Sequence, residues 1–373
     1  MYVLLWQSTL FNAIAKKSIA FTANYPFATI DPNIAPVAVP DEYLLSVATL
    51  ADSIQAVPAT MEWIDVAGLA KGAHRGEGLG NRFLATLREC DAICHLVRVF
   101  ADVDIIHVDG AVDPVEDAEV INLELVLADL AHTERRLAKT TCQGLERETL
   151  ERVQAGLKEG VPARAAGLTE SQAFSIKSMG LLTLKPVLYA LNVDDVDLLL
   201  DRDQAMARGK EMLSCIQYCD PSTAMFTLVS AKIEAELSAK DSKEQAAYLQ
   251  DLGVELLVEK GQEVDRLLCH TVLPGKIREL LDLGLIYTGP GVPLERSRTT
   301  KAYLVRNGSW TVDDLAGRLH GDIQNGFLRA EVTPASRLLE HDNYLSAKEA
   351  GCIRTEGRDC ILNSGDVVLI KWK

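Results

Sequence analysis

Asp65-Val-Ala-Gly68 closes an apolar run, EWIDVAG, and its two end residues have complementary chemistry. A carboxylate at the end of a strand can hold Mg2+ through water, and a glycine amide can meet a terminal phosphate at close range. The residues that follow, LAKGAHRGEGLGNRFL, extend a block with Gly68, Gly72, Gly76, Gly78 and Gly80 inside thirteen positions before a helical pattern. Such a loop can reorder around a phosphate. Asn192-Val193-Asp194-Asp195 ends a second apolar run. There an Asn can brace neighbouring loops, and a carboxylate three residues on can accept ring N–H groups of a purine. Ser230-Ala231-Lys232 ends a third, offering backbone amides and a lysine stem to the other face of a base. Ser8-Thr9 opens an apolar helical stretch, as the hydroxyls after a phosphate-binding loop do.

These residues need strands to carry them. EWIDVAG (62–68), AICHLVRVF (92–100), KPVLYALNV (185–193) and AMFTLVSA (224–231) read as buried strands, with FLATLREC and AAYLQDLG as helices. Alternation of this kind predicts an α/β domain with a parallel sheet, whose ligands sit at the carboxyl ends of the strands. From about 117 to 180, Val120, Leu123, Leu127, Leu130 and Leu137 fall at helical spacing. This segment reads either as a helical hairpin inserted between two strands or as two ordinary helices packed on the sheet. After about 283 the texture changes. TKAYLVRNG, FLRAEV and DVVLIKW read as strands, Thr311-Val-Asp-Asp314 as a cap opening a helix over 312–320, and Asn363-Ser-Gly-Asp366 as a turn.

Composition bounds the partners. The 373 residues suffice for two or three domains, and 48% hydrophobic with 24% charged residues is ordinary for a globular chain. The net charge of −15 argues against a global basic field for DNA. Residues 283–373 hold 12 Lys and Arg against 11 Asp and Glu, a balance of +1, so the remainder carries −16. No apolar run reaches the ~18 residues of a membrane span. The eight cysteines form no CxxC pair; Cys90/Cys94 and Cys215/Cys219 are four apart, which points to reduced thiols rather than a zinc site. The expected location is cytoplasmic, or organellar if a targeting segment belongs at the N-terminus.

Ser8-Thr9, Thr29, DxxG, NxxD and SAK follow one another in the order used by Ras-like GTPases. In NYPFATIDPN (24–33), DVAGLAKGAHRGEGLGNRFL (65–84), DIIHVDG from Asp104, LLTLKPVLYALNV (181–193), YLQDLGV (248–254) and NGFLRAEV (325–332), the chain resembles the YchF/Obg-like ATPase family over nearly its whole length. The resemblance implies a Ras-like G domain with a parallel-type sheet over 1–280, a helical coiled-coil insertion at about 117–180, and a C-terminal β-grasp TGS domain over 283–373. It implies hydrolysis of ATP, or GTP, with Mg2+, and association with the ribosome or ribosomal RNA. Ser8, Thr29 and Asp65 would hold the metal. Ser8, Thr9, Gly68, Phe100, Asn192, Val193, Asp195, Ser230, Ala231 and Lys232 would hold the nucleotide. Leu69 stands where Ras-like enzymes have a water-positioning glutamine; without a polar atom it cannot orient water. His107 matches the family's substitute.

Two features depart from that family. Its base motif is NxxE, whereas Asp195 makes this one NxxD with Val193 at the second position, which leaves the base preference open; the resemblance implies ATP first, with GTP close behind. Its phosphate loop, GxxNxGKST, is reduced to ST, with Gln7 in place of the lysine and bulky Tyr2–Trp6 before it. The sequence therefore predicts that the first strand and most of the phosphate loop are lost. A truncated N-terminus is the expected reason, and a pseudo-NTPase scaffold without hydrolysis is the alternative. A dinucleotide-binding reading of GEGLGN fails, because no new strand comes immediately before its glycines. For an RNA-facing surface the sequence offers Arg296, Arg298, Lys301 and Arg306, with Arg135, Arg136 and Lys139.

Overall fold

Short runs rich in Val, Ile, Leu and aromatic residues pair into two six-stranded sheets. The structure is a computed structural model and describes residues 2–5, 10–12, 14–15, 34–65, 87–99, 113–194, 202–217, 224–237, 269–288 and 299–373, with a few single positions besides. The first sheet holds β1 (Tyr2–Leu5), β2 (Ile34–Ala38), β4 (Thr60–Asp65), β5 (Ala92–Arg98), β6 (Val187–Asn192) and β7 (Met225–Val229), in the order β2-β4-β1-β5-β6-β7. The pairs β1–β4, β1–β5, β5–β6 and β6–β7 are all parallel. β4 to β7 coincide with the four runs read as strands.

The expected loss of the first strand is corrected. Tyr2–Leu5 form β1 in the centre of the sheet, with Leu5 opposite Asp65 on one side and Cys94 on the other. The residues that seemed too bulky for a phosphate loop are good strand formers, and four of them suffice where both neighbours supply hydrogen bonds.

Between β5 and β6 lie two long helices, α2 (Pro114–Leu137) and α3 (Gly144–Lys158), followed by shorter helical turns. Asp113 caps α2 by accepting the N–H groups of Val115 and Glu116, with Pro114 at the first position. Leu125 and Ala128 of α2 pack with Ile93 and Leu182 beside the sheet. Val126 joins Leu150, Val153 and Leu157 of α3, with Ile176 and Leu181, in a separate apolar cluster. Arg136 is engaged by both carboxylate oxygens of Glu146 at 2.7 Å, which holds that carboxyl below its ordinary range and leaves Arg136 a poor candidate for RNA.

The second sheet has the order β11-β10-β12-β8-β9-β3, from β3 (Gln55–Val57), β8 (Leu283–Thr288), β9 (Thr299–Arg306), β10 (Phe327–Pro334), β11 (Arg354–Glu356) and β12 (Asp366–Trp372). Helix α6 (Val312–Leu319) covers one face, opened by the expected box: Thr311 accepts the N–H of Asp314 at 3.2 Å, and Asp314 accepts that of Thr311 at 2.8 Å.

The boundary expected between 280 and 283 is revised. Ala38–Met61 belongs with Arg278–Lys373 in one compact unit, apart from the unit that holds the first sheet. The reason is pairing. β3 runs parallel to β9, and Ser53 Oγ lies 2.8 Å from Thr300 Oγ1. Just before α1 (Leu44–Leu50), Asp41 accepts the N–H groups of Tyr43 and Leu44 and the hydroxyl of Tyr287 at 2.8 Å.

His95 on β5 is buried beside Tyr189, ring centroids 5.4 Å apart. Burial, and then the charge of Arg164, pushes its pKa down to about 3. A folded-state value below the unfolded one means that the unfolded chain binds the extra proton. The contribution is therefore complete above pH ~6.5 and is lost as pH falls toward 3. Urea titrations at pH 7 and pH 5 are expected to show His95→Gln losing roughly 2 kcal/mol less across that interval than the unsubstituted chain. Parallel pH profiles would contradict this.

Candidate functional site

The carboxyl edge of the first sheet gathers several of the residues singled out by sequence. Asp65 ends β4, Asn192 ends β6, and Ser230 follows β7. β4 and β6 are three strand spacings apart, so Asp65 and Asn192 lie roughly 14 Å from each other along the edge, a span suited to one extended nucleotide.

At the β6–β7 end, Asn192 is 3% exposed and its Oδ1 accepts the N–H of Ala231 at 3.0 Å. This bond joins the NxxD loop to the SAK loop. Val193 N–H reaches Val229 O at 2.9 Å, and Ser230 Oγ accepts the N–H of Ile233 at 3.4 Å as α4 (Ala231–Leu237) begins. Ser230 and Ala231 are buried while Lys232 is exposed. Val193 is buried too, and packs with Leu213 and Leu237 in the core under the edge. It thus shapes the loop from below.

At the β4 end, Asp65 Oδ1 is buried and has no hydrogen-bond partner among the described residues. An orphaned carboxylate oxygen at a strand end fits the outer sphere of a hard cation, which takes oxygen ligands. Ser8, Thr9, Thr29, Gly68, Leu69, Phe100, His107 and Asp195 lie outside the described residues, as does most of AAYLQDLG.

Sequence reasoning missed Glu234, Cys269 and His270. Glu234 is 1% exposed and accepts Cys269 N–H at 2.9 Å, with His270 Nδ1 at 2.7 Å. The only signal was its place one helical turn after Ser230.

A sheet whose strands β4, β1, β5, β6 and β7 run parallel, with these loops on its carboxyl edge, defines a Ras-like α/β fold of the GTPase class. Residues 7–130 match the family model described as "50S ribosome-binding GTPase", and residues 296–373 match YchF-GTPase_C, described as "Protein of unknown function (DUF933)". The chain is 37% identical to "Ribosome-binding ATPase YchF" of Bacillus subtilis (strain 168), over 98% of this chain and 96% of that one. It is 32% identical to "Obg-like ATPase 1" of Caenorhabditis elegans, over 98% and 89%. The solved structure of the Schizosaccharomyces pombe YchF GTPase superposes with a TM-score of 0.79 at 29% identity, covering 99% of this chain and 97% of that one. The chain belongs to the YchF/Obg-like ATPase family.

Proposed function

We propose that this chain is a nucleotide-dependent switch of the YchF type, taking ATP, or GTP, with Mg2+ and associating with the ribosome in the cytoplasm. The observation that carries the reading is the Asn192–Ala231 bond. It fixes two loops against each other at the sheet's carboxyl edge, where a purine ring would lie between them. The relatives named for ribosome binding and ATPase activity support the partner and the reaction.

In this reading Asp65, through water, and Ser8 and Thr29 would hold Mg2+. When bound, the ion would neutralise charge on the phosphate oxygens. Gly68 meets the terminal phosphate, Phe100 lies beside the nucleotide, and Asp195 accepts ring N–H groups. Leu69 has no polar atom with which to orient water, and the imidazole of His107 orients the attacking water instead. In a version carrying the family's phosphate loop, His107→Ala is expected to slow single-turnover hydrolysis at least tenfold with nucleotide affinity within about twofold. An unchanged hydrolysis rate would remove His107 from the mechanism. The pair α2–α3 is read as the coiled-coil insertion. The order β9-β8-β12-β10-β11, with α6 across it, supports a β-grasp TGS domain.

A second reading, binding without hydrolysis, is favoured by one observation. Only four residues, Trp6 to Thr9, separate the end of β1 from helical Leu10.

Ribosome co-sedimentation at low and high salt tests the proposal. Pelleting is expected to fall as salt rises, and to fall further in a Lys301→Glu/Arg306→Glu/Arg318→Glu variant, because phosphate contacts release counterions. Equal pelleting of both chains without salt dependence would contradict an RNA-facing C-terminal unit. No pelleting at any salt would contradict ribosome association.

A further inference from the structure

The Asn192 bond holds the SAK loop from one side, and a separate buried cluster holds it from the other. Glu234 begins there: its backbone N–H donates to Ser230 O at 3.1 Å as α4 starts. Its carboxylate turns the opposite way, toward the first residues of α5 (Cys269–Leu280). One oxygen accepts Cys269 N–H at 2.9 Å and the other meets His270 Nδ1 at 2.7 Å. Cys269 closes the ring, its Sγ 3.8 Å from Ser230 O. Burial pushes the Cys269 thiol well above its ordinary pKa, so its proton stays in place to donate to that carbonyl. The Ser230 carbonyl is thus shared by Glu234 N–H and the Cys269 thiol, in a loop whose next amide is committed to Asn192.

A carboxylate that is 1% exposed is costly to bury, and here both oxygens are used on a neighbouring helix whose other contact with the loop is the Cys269 thiol on Ser230 O. That cost is explained if the position of Ser230–Lys232 matters more than the stability of the cluster. We propose that Glu234 is a positioning residue for base recognition: by fixing Ser230 through the start of α5, it sets how the SAK loop meets a purine and so helps decide between adenine and guanine. This rests on the nucleotide reading given above.

The test is the ratio of affinities for Mg-ATP and Mg-GTP, read by saturation-transfer NMR of the ligand up to several millimolar, in the full chain and its variants. Glu234→Gln keeps the shape and an acceptor for Cys269 N–H, and is expected to leave both affinities and their ratio within about twofold of the unsubstituted chain. Glu234→Ala is expected to weaken both nucleotides and to bring their ratio toward one. If Glu234→Ala does not fold, His270→Ala removes one of the two carboxylate partners, and a smaller shift in the same direction is expected. A merely structural role would lower thermal stability and leave the ratio alone. An unchanged ratio in a folded Glu234→Ala or His270→Ala chain would overturn the assignment. Absence of saturable binding to the unsubstituted chain would overturn the nucleotide reading itself, and Glu234's role with it.

Discussion

Calorimetric titration of this chain with Mg-ATP is expected to show a dissociation constant no tighter than roughly 100 µM, with ADP and adenosine within a few-fold of ATP. The reason lies in seven residues. Aligned on Ser8, a G-x-x-x-x-G-K-[ST] loop would put its second glycine at Trp6 and its lysine at Gln7. The positions before them are strand: Tyr2–Leu5 pair with β4 and β5 on both sides, so their amides are committed to the sheet and cannot wrap a phosphate. Gln7 brings a donor without charge. Each charge-assisted hydrogen bond forgone is worth about 1.5–3 kcal/mol, so the lysine and one or two cradle amides together account for ~4–6 kcal/mol, some three to four decades of affinity. Gln7→Lys alone is expected to recover less than tenfold, because Trp6 still occupies the glycine position. A low-micromolar constant for the unsubstituted chain would sink this account of its phosphate end.

The largest effect on stability is expected at Asp129. Its carboxylate is 0% exposed and receives four hydrogen bonds: Arg88 Nη1 at 2.8 Å, the N–H groups of Leu182 at 3.1 Å and Thr183 at 2.7 Å, and the Thr183 hydroxyl at 2.8 Å. It fastens α2 to the turn that leads into β6, the strand that ends in Asn192. Gly180 belongs to the same junction. Its φ is +56°, and an added Cβ would stand 2.9 Å from Arg88 O. Asp129→Ala would strand a largely buried guanidinium and leave two backbone amides without an acceptor, at a cost of about 3–5 kcal/mol. Urea unfolding should show that loss as a lower midpoint at an unchanged slope. A loss under 1 kcal/mol would mean that water or a neighbour replaces the carboxylate. Replacing both partners with apolar residues, Arg88→Met with Asp129→Leu, is expected to cost less than Asp129→Ala.

Legibility in the sequence followed how local each signal was. β4, β5, β6 and β7 are apolar runs with polar ends, and the chemistry sits at those ends, so both strands and candidate residues could be read directly. Thr311 and Asp314 are three apart, and their box was readable for the same reason. β1 was misjudged because Tyr2–Leu5 were weighed as a failed loop, although their composition is that of a strand. The place of 38–61 left no local trace: β3 is three residues long, and its partner β9 lies more than 240 positions on. Glu234 was hidden similarly, since only folding brings Cys269 and His270 to it.

Amide hydrogen exchange with and without millimolar Mg-ATP tests the central claim most directly, because it reports where a nucleotide sits even when affinity is low. The account predicts slowed exchange at Asn192–Val193 and Ser230–Lys232, with a smaller change beside Asp65, and none in β10 or β12. Protection confined to other segments, or none at concentrations where binding is measurable, would contradict a nucleotide at the carboxyl edge of the first sheet.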